Sequence, residues 1–217
     1  MPVAVKISAL SSAAANNELS NRILGQARAD FLTHGYSAVT MDAIASELGI
    51  SKKTLYQHFS SKDALIRDVI LGLSREIRAE ADALLRHRRL NFAEKLRGFA
   101  EGLAQRLHTV TPHAVRDLQR FAPHLHALLH ELRQKDIPYI FGRFVEQGQL
   151  TGMVRDDIHP VFTIHFYLHA LQGLLQPASL EQLKLTPTEI YTRAIDLFFG
   201  GLLTPVGRKE HEKLFPR

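Results

Sequence analysis

The chain has 217 residues, of which 45% are apolar and 23% charged, proportions of a folded protein with room for one large domain or a small head on a larger body. It contains no cysteine, which excludes disulfides, thiolate zinc sites, iron–sulfur clusters and cysteine nucleophiles together and fits a cytoplasmic protein. A net charge of +5 favours an anionic partner, nucleic acid before a membrane surface, and no apolar run reaches the roughly 18–20 residues of a membrane span.

In chain order, the first residues carry Lys6, several serines and Ala13-Ala14-Ala15. Their apolar stretch is too short and too interrupted for a secretory signal, so residues 1–19 read as a mobile tail. Ile23, Leu24, Ala27 and Phe31 recur at helical spacing, and Gly35 supplies a left-handed stop. A second stripe, Met41, Ile44, Ala45 and Leu48, has Thr40 as its cap and Gly49 as its end. A short third helix over 52–59 is capped by Ser51. A fourth, capped by Ser60 or Ser61, runs over 62–86 with Leu65, Val69, Leu73 and Ile77 on one face.

Asn91 and Glu94 form a capping box before the stripe Phe92, Leu96, Phe99, Leu103 and Leu107. Thr111-Pro112 and Thr186-Pro187 each set a cap before a proline at the first helical position, and Glu189 completes the second box. Pro138 falls inside a helical stretch over 125–147 and should kink or break it. Residues 162–169 alternate apolar and polar as a strand does. No partner strand exists in the pattern, however, and the run continues to Leu175, so it reads as a helix apolar nearly all round that must be covered on both sides. Residues 206–217 read as a C-terminal tail.

The informative stretch is 40–62. It is a helix, a tight glycine turn and a second short helix, with Leu55 and Phe59 four apart as anchors. Lys52, Lys53, Thr54, Tyr56 and His58 are left on the outer face and towards the helix N-terminus, the half that a recognition helix offers to DNA. From Ile50 to Arg67 four cations stand against one acid, a local excess of +3 out of the molecule's +5.

This stretch resembles the DNA-binding head of the tetracycline-repressor (TetR) family, in which a threonine-capped helix leads through Gly-x-Ser into a Thr-Leu-Tyr-x-His-Phe helix and then Ser-Lys. The likeness covers about residues 20–86. It implies an all-α fold, with a three-helix helix-turn-helix head over 20–66 and a larger ligand-binding and dimerisation body over 67–205. It also implies phosphate contacts by Thr40, Tyr56, His58 and Lys62 and base-edge contacts by Lys52, Lys53, Thr54 and Gln57. Ser51, the cap of the short helix, completes the DNA-binding set. The implied function is a ligand-released repressor that binds a near-palindromic double-stranded operator as a homodimer through its last two long helices. The alternatives are a helical carrier or enzyme with a vestigial head, a metal-sensing repressor, and an architectural DNA-binding protein without effector.

Nine of the twelve histidines lie beyond residue 100, and His126/His130 and His165/His169 have the four-residue spacing that puts both rings on one helix face. Metal binding, pocket lining and structural roles all fit that spacing. Neither pair contains the glutamate of His-Glu-x-x-His, and neither a nucleophile elbow nor a phosphate loop is present, so an enzyme, a cofactor and a metal are not expected. The expected effector is a small organic molecule, held by Phe99, Phe121, Phe141, Phe144, His165 and His169 in an aromatic-lined cavity. No membrane partner is expected.

Overall fold

In the computed structural model, residues 3–214 are described, with side chains from Asn16 to Lys213. Among them the regular elements are eleven α-helices: α1 Val3–His34, α2 Met41–Glu47, α3 Lys52–His58, α4 Lys62–Arg86, α5 Phe92–Leu107, α6 Pro112–Phe121, α7 Pro123–Leu150, α8 Pro160–Leu174, α9 Pro177–Leu183, α10 Pro187–Leu202 and α11 Pro205–Leu214. The capping chemistry sets the starts. Both boxes form as the spacing predicts, with Asn91 and Glu94 exchanging bonds at α5 and Thr186 and Glu189 at α10. Thr40, Ser51, Ser61 and Thr111 each accept a backbone N–H three residues on.

Two hydrophobic cores form. Ile23, Ala27, Phe31, Val39, Ile44, Leu55, Phe59, Leu65 and Ile66 build the core of the head, and Leu118 of α6, Leu125 of α7 and Ala122 between them reach into it. The second core is aromatic. Phe99, Phe141, Phe144, Tyr167, Phe198 and Phe199 pack mostly edge-to-face or tilted, with Phe141 stacked on Phe199, 4.4 Å from Tyr167 and 6.0 Å from Phe99 between ring centres. Helix α4 borders both cores, through Val69 and Ile70 at one end and Ala81 and Leu85 at the other. Its last turn is held by buried Lys95, whose Nζ donates to Leu85 O at 3.0 Å.

Three local expectations are corrected. The expected tail over 1–19 is helical from Val3, because α1 extends backwards through an alanine-rich stretch free of glycine and proline. The expected C-terminal tail over 206–217 is helix α11 as far as Leu214. Thr204 Oγ1 accepts from Gly207 N, and a β-carbon on Gly207 would stand 2.2 Å from Met153 O, so this helix is seated on a turn more than fifty residues away. Helix α7 passes through Pro138 unbroken. Ile137, Ile140 and Phe141 are all buried there, at roughly 1.5–3 kcal/mol each, which outweighs a proline penalty of about 3 kcal/mol. Within the single chain α8 is covered on one face, by way of Thr163, Tyr167, Leu168 and Leu171, which leaves the cover of its other face to a partner. The 162–169 segment is otherwise the helix that its length indicates.

Candidate nucleic-acid interface

Helices α2 and α3 are joined by a turn in which Gly49 takes φ +64° and Ile50 N donates to Ala45 O at 3.0 Å. Ser51 Oγ accepts from Thr54 N at 3.0 Å and lies 2.8 Å from Thr54 Oγ1, which starts α3 sharply. Leu55 is fully buried and Phe59 nearly so, which fixes the rotation of α3 about its axis. Ser51, Lys52, Lys53, Tyr56 and Gln57 are thereby left exposed, with Thr54 and His58 half-buried beside them. His58 Nδ1 lies 2.8 Å from Ser20 Oγ, tying the end of α3 to α1. Thr40 is exposed at the start of α2 and is occupied in capping Ala43 N. Lys52 Nζ pairs with Asp42 at 2.6 Å, but both side chains are more than 60% exposed, so the pair contributes roughly 0–1 kcal/mol and yields readily to a phosphate or base.

Lys62 differs from the other candidates. It is half-buried, with Nζ 4.0 Å above the Tyr36 ring, and desolvation pushes its pKa down against the opposing fields of Asp117 and Asp63. Tyr36 donates to Asp63, and burial together with that bond pushes the phenol up to about 12. Lys62→Ala is expected to weaken duplex binding about equally on all sequences and to lower the salt slope by roughly one unit. Because it also removes the contact with Tyr36, a small loss of thermal stability should accompany it. Anisotropy titrations at several salt concentrations check the first effect. An unchanged slope would mean that the ammonium serves the Tyr36 contact alone.

A cavity of about 150 Å³ lies between the cores. Its wall draws Phe31 and Leu32 from α1, Ile70 from α4, Phe99 from α5, Phe141 from α7 and Tyr191 from α10. Of the six residues expected to hold a ligand, Phe99 and Phe141 line it. The other four lie outside its wall. Phe144 is fully buried behind Phe99 in the aromatic core, 5.4 Å away between ring centres. Phe121 is exposed at the end of α6 beneath the Arg120 guanidinium. His165 and His169 stack 6.2 Å apart on the uncovered face of α8, because Tyr167 and Leu168 occupy the inner one.

Residues 23–69 match the family profile described as bacterial regulatory proteins, tetR family. The chain belongs to the TetR family of transcriptional regulators. It is similar to the HTH-type transcriptional regulator YvaF of Bacillus subtilis (strain 168), 23% identical over 85% of this chain and 95% of that protein. To UidR of Escherichia coli (strain K12), another HTH-type transcriptional regulator, it is 27% identical over 84% of this chain and 92% of the relative. A solved TetR-family regulator from Agrobacterium tumefaciens shares the fold with a TM-score of 0.63 at 16% identity, covering 87% of this chain and 100% of that one.

In this TetR-family regulator the head is fastened to the body by groups with no signal in the sequence. Asp117 of α6 is buried and accepts from Ser37 N at 2.6 Å and Ser37 Oγ at 2.7 Å. His124 Nε2 lies 2.8 Å from Asp63 Oδ2, and Arg28 pairs with Glu76 at 2.8 Å. The first two links hold the turn before α2 and the first turn of α4, which carries Lys62, against α6 and α7, while the Arg28–Glu76 pair ties α1 to α4. Ser37 and Asp117 stand eighty positions apart, so no local pattern could announce the contact.

Proposed function

We propose that this TetR-family regulator is a cytoplasmic homodimeric repressor, without catalytic activity, that binds a near-palindromic operator and releases it when an organic effector fills the cavity. The observation that carries the reading is the outer face of α3. Two lysines, a tyrosine and a glutamine project from a short helix whose rotation is locked by buried Leu55 and Phe59. Such a helix offers its first turns to base edges and its amide ends to phosphate. Lys52, Lys53, Thr54 and Gln57 are proposed to read bases, while Thr40, Ser51, Tyr56, His58 and Lys62 hold the backbone. The cavity supports effector control because its wall includes α1 of the head together with α10, so an occupant touches both parts at once. An effector must bind the released arrangement more tightly, since equal affinity for both shifts nothing.

An apolar face supports the dimer. Phe162 (67% exposed), Phe166 (66%) and Leu197 (77%) lie uncovered on α8 and α10, with open space above Gly173, Gly200 and Gly201 where a second backbone can approach. His165 and His169 share this face. The wild-type chain is expected to sediment as a dimer at micromolar concentration, and Phe166→Glu/Leu197→Glu as a folded monomer with much weakened operator affinity. A clean wild-type monomer by analytical ultracentrifugation would remove the paired-head arrangement. The function itself is tested by sequencing the DNA retained from a random duplex pool. Enrichment of an inverted repeat with half-sites about 34–36 Å apart, or a multiple, is the expected result. Retention without sequence preference would mark an architectural binder, and no salt-dependent retention would mark a carrier.

A further inference from the structure

The cavity wall is apolar except at one place. Its polar side chains are Ser74 of α4, Arg133 and Asp136 of α7, and Tyr191 of α10. Two of the four are satisfied by charge and hydrogen bonding. Asp136 takes a bond from Ser74 Oγ and an ion pair from Arg78 at 2.9 Å, so its negative charge is answered within the protein. Arg133 is in the opposite position. Its Nε donates to the neutral Tyr191 hydroxyl at 3.1 Å, and among the described residues no carboxylate stands within ion-pair distance of it. A guanidinium carries five donors in a planar fork, and one of them is used on Tyr191, so this cavity-lining cation is unmatched by an anion among the described residues.

The neighbours add to the cationic character. His130 stands three positions before Arg133 on α7 and His126 four before that. His126 is pushed below its usual pKa by burial first, then by the fields of Arg133 and His130. The charge of Arg133 is therefore felt along this stretch rather than cancelled. A cation left unpaired at an apolar wall is costly unless an anion joins it, and a planar carboxylate matches the fork in two bonds.

We propose that the cavity takes a small anionic amphiphile, an aryl or short-alkyl carboxylate, whose charge is held by Arg133 with Tyr191 while its apolar body lies beside Phe99 and Phe141. This rests on the reading of the cavity as the effector site and adds the ligand's class. The size agrees, since a dry cavity of about 150 Å³ accommodates a single benzene-sized body. The discriminating term is the charge. Apolar burial is the same for an acid and its alcohol, whereas a bond to a charged group is worth enough to separate them about tenfold or more.

Three probes with one body and different head groups test this: 3-phenylpropionate, 3-phenylpropanol and 3-phenylpropylamine, titrated calorimetrically into the full chain. The acid is expected to bind at least about tenfold more tightly than the alcohol, and the amine least well. Arg133→Met keeps the apolar stem without the charge and should abolish the acid's advantage over the alcohol. Arg133→Lys should retain part of the advantage, and serves if the methionine variant does not fold. Circular dichroism and retention of the selected duplex report folding in each case. Equal binding of acid and alcohol, an advantage that survives in Arg133→Met, or no binding of any probe would each overturn the proposal. Should the acid bind through Arg133 without releasing the duplex, the ligand class stands and the ligand-released repressor falls. Should the duplex bind with no acid site, the ligand class falls and the DNA-binding reading stands.

Discussion

Gly35→Ala is expected to destabilise the protein by about 2–4 kcal/mol, a large loss for the addition of one methyl group. Gly35 takes φ +91° between α1 and the turn to α2, a region where any residue with a β-carbon is strained by about 1–3 kcal/mol. The new β-carbon would also stand 2.8 Å from Asp117 Oδ2 and 3.0 Å from Asp117 Cβ. Asp117 cannot step aside cheaply, because both of its oxygens are held by Ser37. Asp117→Ala removes the closest part of the clash, the carboxylate, keeps a β-carbon at 3.0 Å, and leaves the Ser37 N–H and hydroxyl without their acceptor, at a cost of about 1–3 kcal/mol. The double variant should therefore lose less than the sum of the two, with the φ strain as the remainder. Urea unfolding of all four proteins measures this. Additive losses would show that Gly35 and Asp117 do not share a joint, and an unaffected Gly35→Ala would show that the turn is free to reshape.

Lys52→Ala/Lys53→Ala is expected to cost about 2–6 kcal/mol of operator binding, on the basis of about 1–3 kcal/mol for each lost bidentate base contact. Fold stability should change by no more than about 0.5 kcal/mol, because both side chains are exposed and the Lys52–Asp42 pair is weak. That separation makes the variant informative, since loss of binding cannot be assigned to unfolding. Preference among bases should relax at the positions that the two lysines read, in contrast to the uniform weakening expected of Lys62→Ala. Anisotropy on the selected duplex and on single-base variants of it supplies the measurement. Unchanged affinity and unchanged salt slope would place the recognition surface elsewhere than α3.

The head was legible in the sequence because its determinants are local. Thr40, Gly49, Ser51, Leu55 and Phe59 act within a turn or two of their own positions, so cap, turn and anchor are readable as spacing. The body was legible only as helices. Whether Phe121 or Phe141 meets a ligand depends on which side of a helix its neighbours cover, and periodicity cannot tell the inner face of α8 from an outer face that is equally apolar. Periodicity therefore puts His165 and His169 inside as readily as outside, whereas in the fold Tyr167 and Leu168, between them in the chain, hold the inner face. Arg133 gave no motif at all, being one arginine among many charged residues of α7.

What the sequence by itself determined is the starts of the capped helices α2 to α6 and α10 and the exposed outer face of α3, since capping and period act over three to eight residues. The tertiary structure alone decided the seat of α11 on the Met153 turn, the Asp117–Ser37 joint, the cavity between the two cores and the uncovered face of α8 and α10. Each of these depends on groups fifty or more positions apart, or on the choice between two faces of one helix, and that choice is made by the free energy of packing the whole set of helices together.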